Sequence, residues 1–185
     1  KPLYIHLDMS LTGDKTGIAG VWIKGKRPPQ EGVPASKEVV FQVAFCVSVK
    51  APKGHQVSFE KNRNFIRWLK EQGFRIKGVT CDTFQSASLL QELQAEGFDA
   101  KVLSVDRVKD NICEPYQYVK SAIYEQRLLI PNKGTTLLTE EFLGLERNNN
   151  NGKIDHSPNS INSKDSADAV TGACYTASQH AEEFA

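Results

Sequence analysis

Apolar and polar residues alternate from the start of the chain: Leu3, Ile5 and Leu7 point to one side of a strand, Tyr4, His6 and Asp8 to the other. That strand ends at Asp8. Turn residues Thr12, Gly13 and Asp14 follow, then a second strand over 17–23 and a polar, Pro-containing loop through Ser36. Val39, Phe41, Val43, Phe45, Val47 and Val49 occupy alternate positions opposite Val40, Gln42, Ala44, Cys46 and Ser48, which predicts a long, half-buried third strand. Short turns between the three favour an antiparallel meander. The period then changes. Phe65, Ile66, Trp68 and Leu69 follow helical spacing, giving a helix over 60–72 with Gly73 as its stop.

A strand over 76–82, a helix over 86–94 carrying Leu89, Leu90 and Leu93, and a strand over 100–104 complete a βαβαβ rhythm. Right-handed crossovers place these later strands parallel to the first, so the expected fold is α/β, with a mixed sheet of about five main strands flanked by helices. The remaining third predicts helices over 115–127 and 136–143 and a small extra hairpin closed by the turn Asn148-Asn149-Asn150-Asn151-Gly152. Ser163 is the expected N-cap of a last helix whose packed part runs over 167–177.

A chain of 185 residues buries roughly 70% of its unfolded surface, so residues 1–185 are expected to form a single domain. With 39% hydrophobic and 24% charged residues, the composition is that of a globular chain, and no apolar run approaches the roughly 20 residues needed to span a bilayer. The start carries no charged-then-apolar signal, and its abrupt strand reads as the edge of an excised domain. Cys46, Cys81, Cys113 and Cys174 are scattered without a C-x-x-C pair, which fits a reducing, intracellular setting without structural zinc. The net charge of +1 leaves any nucleic-acid contact to local patches: Lys24, Lys26 and Arg27, or Lys61, Arg63, Arg67 and Lys70. A solvated face is the bland reading of either patch.

In open sheets, functional groups gather where parallel strands end. Asp8 and Asp82 each close an apolar strand with a carboxylate, and adjacency of those strands would bring both acids to one edge. Two bare carboxylates so placed repel unless a cation joins them. A third acid comes from the start of the last helix, where Asp165 and Asp168 share a face; Asp168 leads into the packed part, and Asp165 remains an alternative. Hard oxygen ligands without clustered Cys or His suit magnesium or manganese. Each acid alone has an ordinary explanation: Asp82 as a turn former, Asp165 as a partner of the helix dipole. Asp8 has the weakest such excuse, having no helix nearby to cap.

The segments Ile5-His6-Leu7-Asp8-Met9-Ser10-Leu11-Thr12-Gly13-Asp14-Lys15-Thr16-Gly17, Gly78-Val79-Thr80-Cys81-Asp82, and Lys153-Ile154-Asp155-His156 with Lys164-Asp165-Ser166-Ala167-Asp168-Ala169 resemble the nuclease motifs of phage large terminase subunits. The stretch from Glu114-Pro115-Tyr116 to Ile130-Pro131 is similar to the segment those proteins carry between their second and third acidic motifs. The resemblance covers nearly the whole chain. It implies a ribonuclease H-like nuclease that cuts double-stranded viral DNA with two divalent cations, Mg2+ or Mn2+, in the cytoplasm of the infected host cell. It further implies an attached ATPase domain, a portal and a small terminase subunit as partners. No G-x-x-x-x-G-K-S/T phosphate loop occurs in this chain, so the resemblance makes it the C-terminal, motorless part of a larger ATPase-nuclease. His156 matches a histidine that such proteins carry before the last acidic motif, although a loop histidine needs no role. Asp14 is a turn residue at a position where the family motif tends to carry an acid.

On this reading Asp8 bridges two ions roughly 4 Å apart, Asp82 completes one site and Asp168 the other. A junction resolvase or transposase-like nuclease of the same fold would carry the same acids. A viral assembly docking module with purely structural acids is the non-enzymatic alternative.

Overall fold

In the computed structural model, which describes residues 1–9, 15–26, 38–50, 58–82, 87–158 and 163–184, alternation along the first strand decides which layer each side chain joins. That strand, β1 (Pro2–Asp8), lies inside the sheet. It pairs antiparallel with β2 (Lys15–Lys26), which pairs antiparallel with β3 (Val39–Lys50), giving the predicted meander. After α1 (Phe59–Glu71), β4 (Arg75–Cys81) returns parallel to β1; after α2 (Ala87–Ala95), β5 (Ala100–Val102) adds parallel to β4.

Odd residues of β1 face α1 and α2. Leu3, Ile5 and Leu7 form one core with Ile66, Leu69, Leu89, Leu90 and Leu93. Even residues face the last helix, α5 (Asp165–Ser178). Tyr4 joins Ala19, Val21 and Ile23 of β2 in a second core with Ala169, Val170, Ala173, Cys174 and Ala177. Small residues on α5 let it lie close to the sheet. His6 is buried beneath it, its Nδ1 2.8 Å from Thr80 Oγ1, which lies 2.8 Å from Thr176 Oγ1. Burial drives the His6 pKa down to about 3, so the imidazole is neutral.

Three expectations change. The third strand does not keep one apolar face: Val21 pairs with Val43 but Gly20 with Phe45, so Ala44 is the extra residue of a bulge. Val39, Phe41 and Val43 therefore belong to the α5 core, whereas Phe45 and Val49 pack on the opposite side and Cys46 turns towards α5. The five main strands stand as expected, and a sixth, two residues long, joins them. The first of the late helices, α3 (Glu114–Tyr124), stops before residue 127 because Gln126 takes a left-handed conformation (φ 56°), and the chain turns into β8 (Leu128–Leu129), parallel to β3. Finally, β6 (Val108–Lys109) and β7 (Ile112–Cys113) form a two-strand hairpin with no strand-like pattern in the sequence. The other hairpin stands where expected: after α4 (Thr136–Leu143), β9 (Leu145–Arg147) pairs with β10 (Ile154–His156) across the asparagine turn. No helix among the described residues is long and apolar enough to cross a membrane.

Gly172 of α5 faces the His6 ring, where any Cβ would clash with the imidazole. Gly172→Ala is expected to lower stability by about 1–3 kcal/mol in urea unfolding, the usual cost of overpacking a dense core; an unchanged midpoint would contradict this packing.

Candidate metal centre

Asp8 is the last residue of β1 and pairs with Gly17 of β2. A Cβ on Gly17 would run into the backbone carbonyl of Asp165, so the missing side chain lets the first turn of α5 settle beside Asp8. On the other side, the Asp82 N–H donates to Leu7 O at 3.0 Å and prolongs the parallel ladder by one residue. Alternation puts Asp82 on the face of Gly78 and Thr80, whose neighbours include Thr176 of α5. Two adjacent parallel strands thus end in acids on the face that α5 covers.

That helix starts in an unexpected way. Lys164, not Ser163, occupies the N-cap position, and its side chain makes no cap. Ser163 Oγ instead lies 2.8 Å from Glu141 Oε1 and 2.9 Å from Asp165 Oδ2. Glu141, a buried residue of α4, accepts the Ala167 N–H at 2.8 Å. A carboxylate from another helix therefore satisfies an orphan amide that a local cap would normally take.

Asp168 is only 4% exposed. Tyr116 of α3 donates its hydroxyl to Asp168 Oδ1, and Lys164 Nζ lies 3.1 Å from Oδ2. The same ammonium is 2.7 Å from both carboxylate oxygens of Asp106. Burial, followed by repulsion from Asp168, Asp165 and Asp82, pushes the Asp8 pKa up to about 9 against the pull of Lys164. Burial also raises Asp168 to about 7, opposed by Lys164 and the Tyr116 hydrogen bond. Burial works against the Lys164 ammonium, but Asp168 and Asp106 outweigh it and hold its pKa above the ordinary lysine value.

Mutually repelling, buried oxygen donors are the chemistry a hard divalent cation relieves, and in that respect the residues fit the implied metal. As placed, no three Asp, Glu, His or Cys side chains among the described residues converge on one ion position. Asp168 is turned towards Tyr116 and Lys164 instead.

The remaining expected residues divide by position. His156 lies on β10 with its Nδ1 2.8 Å from Asp155 Oδ1. Lys24 and Lys26 sit at the far end of β2 from Gly17, about 23–30 Å from Asp8 at the usual strand rise. Lys61 and Arg63 ride on α1, across the sheet from α5, and Arg63 is paired with Glu92. Asp14 and Arg27 lie outside the described residues. Sequence reasoning passed over Tyr116, Asp106, Lys164 and Glu141. It also passed over Lys15 and Lys50, cross-strand partners at the Asp8 end of the sheet. One of these carried a signal: a lysine at the start of a helix opposes the helix dipole.

No sequence-family model matches the chain, and no curated protein matches it by sequence. Its fold does match solved structures. The large terminase nuclease of thermophilic phage G20c superposes with TM-score 0.62 at 14% identity, covering 94% of this chain and 81% of that one. The nuclease domain of the bacteriophage SPP1 large terminase, solved with bound Mn, gives 0.61 at 11% identity, covering 95% and 86%. The HK97 bacteriophage large terminase gives 0.64 at 13% identity, covering 94% of this chain and 39% of that one. The class is therefore a mixed α/β fold with the ribonuclease H-like architecture of terminase nucleases. Within that class, the chain is similar to the nuclease domains of phage large terminases.

The folded-state pKa of Asp8 stands above the ordinary 3.8, so its contribution to stability is most favourable below pH 3.8 and is lost as pH rises towards 9. Without metal, at pH 8, Asp8→Asn is expected to be more stable than the parent by at least ~1 kcal/mol, the worth of less than one pKa unit. The gain should shrink at pH 4. A lower melting temperature for the variant at pH 8, read by circular dichroism, would contradict the repulsion.

Proposed function

We propose that this chain is a metal-dependent endonuclease that hydrolyses double-stranded viral DNA during genome packaging, as part of a large terminase subunit. The observation that carries the reading is that Asp8 and Asp82 close adjacent parallel strands and that Asp8 lies within electrostatic reach of Asp82, Asp165 and Asp168. The fold shared with terminase nuclease domains supports it, as does the Mn bound by the SPP1 domain.

Asp8, Asp82 and Asp168 would hold two divalent cations, Mg2+ or Mn2+, with Asp165 beside them. Such ions, when bound, supply the charge that activates water and stabilises the leaving oxygen. Asp8, the acid repelled by both of the others, would help to hold the ions. Tyr116 orients Asp168 through its hydroxyl, and Glu141 fixes the turn on which Asp168 sits. Burial of Asp168 keeps bulk water from competing for its carboxylate.

Lys15 and Lys50 are the basic pair best placed for the DNA backbone. Like charges directly across a ladder are unfavourable unless an anion lies between them, and phosphate is that anion. Lys24, Lys26 and Arg27, with Lys61 and Arg63, would serve only a duplex that runs on past the cleft. In the infected cell's cytoplasm, the attached ATPase domain, the portal and the small terminase subunit are the partners this reading implies.

Purified protein with saturating Mn2+ should nick and linearise supercoiled plasmid, and cut linear duplex as readily as a four-way junction. Asp8→Asn, Asp82→Asn and Asp168→Asn should each slow cutting by on the order of 100-fold or more, since even residues behind a metal ligand cost 10–100-fold. Uncut plasmid, with no ion near Asp8 in manganese-soaked crystals, would refute the nuclease in favour of a structural module. A strong preference for branched DNA would favour a resolvase. For the basic pair, joint replacement of Lys15 and Lys50 by Ala should lower the slope of log affinity against log salt by about 1.8, or 0.9 per lost phosphate contact; an unchanged slope removes them from the interface.

A further inference from the structure

Lys164 stands where a helix least favours a cation. It occupies the N-cap position of α5, at the positive end of the dipole, and its side chain caps nothing. It is also largely withdrawn from water, with 16% of its side chain exposed. A lysine kept in such a place needs a compensating partner, and Lys164 has two. Its Nζ lies 2.7 Å from both oxygens of Asp106 and 3.1 Å from Asp168 Oδ2. The contact with Asp106 engages both oxygens and is the shorter. The contact with Asp168 takes an oxygen that the expected third metal ligand would use.

Asp106 belongs to the connection between β5 and β6, remote in sequence from α5, and so anchors the ammonium from outside the helix. Tyr116 holds the other Asp168 oxygen independently. Removing the lysine therefore leaves that carboxylate with one donor in place. The geometry points to Lys164 as the resident counter-charge of the acidic cleft: its ammonium occupies Asp168 when no divalent cation is present and must retire wholly onto Asp106 for Asp168 to ligate. Asp106 is then a positioning residue that acts through Lys164, and the pair sets how tightly the cleft takes up cations. The inference rests on the nuclease reading for the identity of Asp168 as a ligand.

The sign of the effect separates this role from a structural one. A lysine that merely braced Asp168 would, on removal, weaken metal binding or leave it unchanged. A counter-charge, on removal, strengthens it. Titration calorimetry of the 185-residue chain with MnCl2 should give Lys164→Gln an affinity about tenfold above the parent, since one opposing unit charge is lost beside a dication. Lys164→Arg, which keeps the charge, should stay within about twofold of the parent on the same Coulomb argument. Asp106→Asn should weaken binding in the parent yet change it less than about twofold in the Lys164→Gln background, the non-additivity expected of a residue acting through another.

Equal or weaker binding by Lys164→Gln, with a parent-like melting curve, overturns the inference alone. If Lys164→Gln does not fold, the Arg variant and Asp106→Asn decide: binding unchanged by Asp106→Asn overturns it. If neither parent nor Lys164→Gln binds Mn2+, the counter-charge and the nuclease reading fall together.

Discussion

The Asp165 carbonyl lies where any side chain on Gly17 would have to go, and this contact fixes the first turn of α5 against β2. The cleft follows from it. Gly17 is the ladder partner of Asp8, so the same close approach that seats the helix also brings Asp165 and Asp168 to the end of β1. The parallel pairing of β1 with β4 then adds Asp82 from the other side. Any side chain at residue 17 would push the start of α5, and with it Asp165 and Asp168, away from Asp8. The small residues of its buried face, Ala169, Gly172, Ala173 and Ala177 among them, extend the close contact along the helix.

Closeness has an electrostatic cost. Asp8 and Asp168 both carry raised pKa values because burial and neighbouring carboxylates disfavour their charged forms. Tyr116 and Lys164 offset part of this for Asp168, while Asp8 is left with the larger shift. A chain selected for stability alone would replace one of these acids. Their concentration at one sheet edge is the pattern expected where a functional site is maintained against folding free energy.

Much of this was legible in the sequence because period two survives wherever a strand separates two layers. The odd–even split of Leu3 to Asp8 foretold both cores and the face of Asp8, and the βαβ rhythm foretold the parallel neighbour carrying Asp82. The third strand misled because a bulge at Ala44 exchanges its faces midway, and both halves stay apolar enough to hide the exchange. The sixth strand is too short to leave a periodic trace; it is held by the buried Arg127, which donates to Val39 O at 2.9 Å. Tyr116, Asp106 and Glu141 were missed for one reason: each acts through a partner more than two dozen residues away, and spacing along the chain reports only local partners; Lys164, four residues before Asp168, left its sign in the dipole it opposes. Ser163 looked like the N-cap because local chemistry favoured it, yet a tertiary contact took over that task.

Glu141 ties the acids to α4. The amide it receives, on Ala167, lies 26 positions along the chain, across a hairpin that must form and a loop that must close. The apolar face of α5 packs on the sheet, while its first turn is completed by a carboxylate that α4 supplies. The acids of α5 are thus set in register by contacts that reach back 26 positions to Glu141, 52 to Tyr116 and 58 to Asp106. The acids thus answer to packing that lies far from them in sequence.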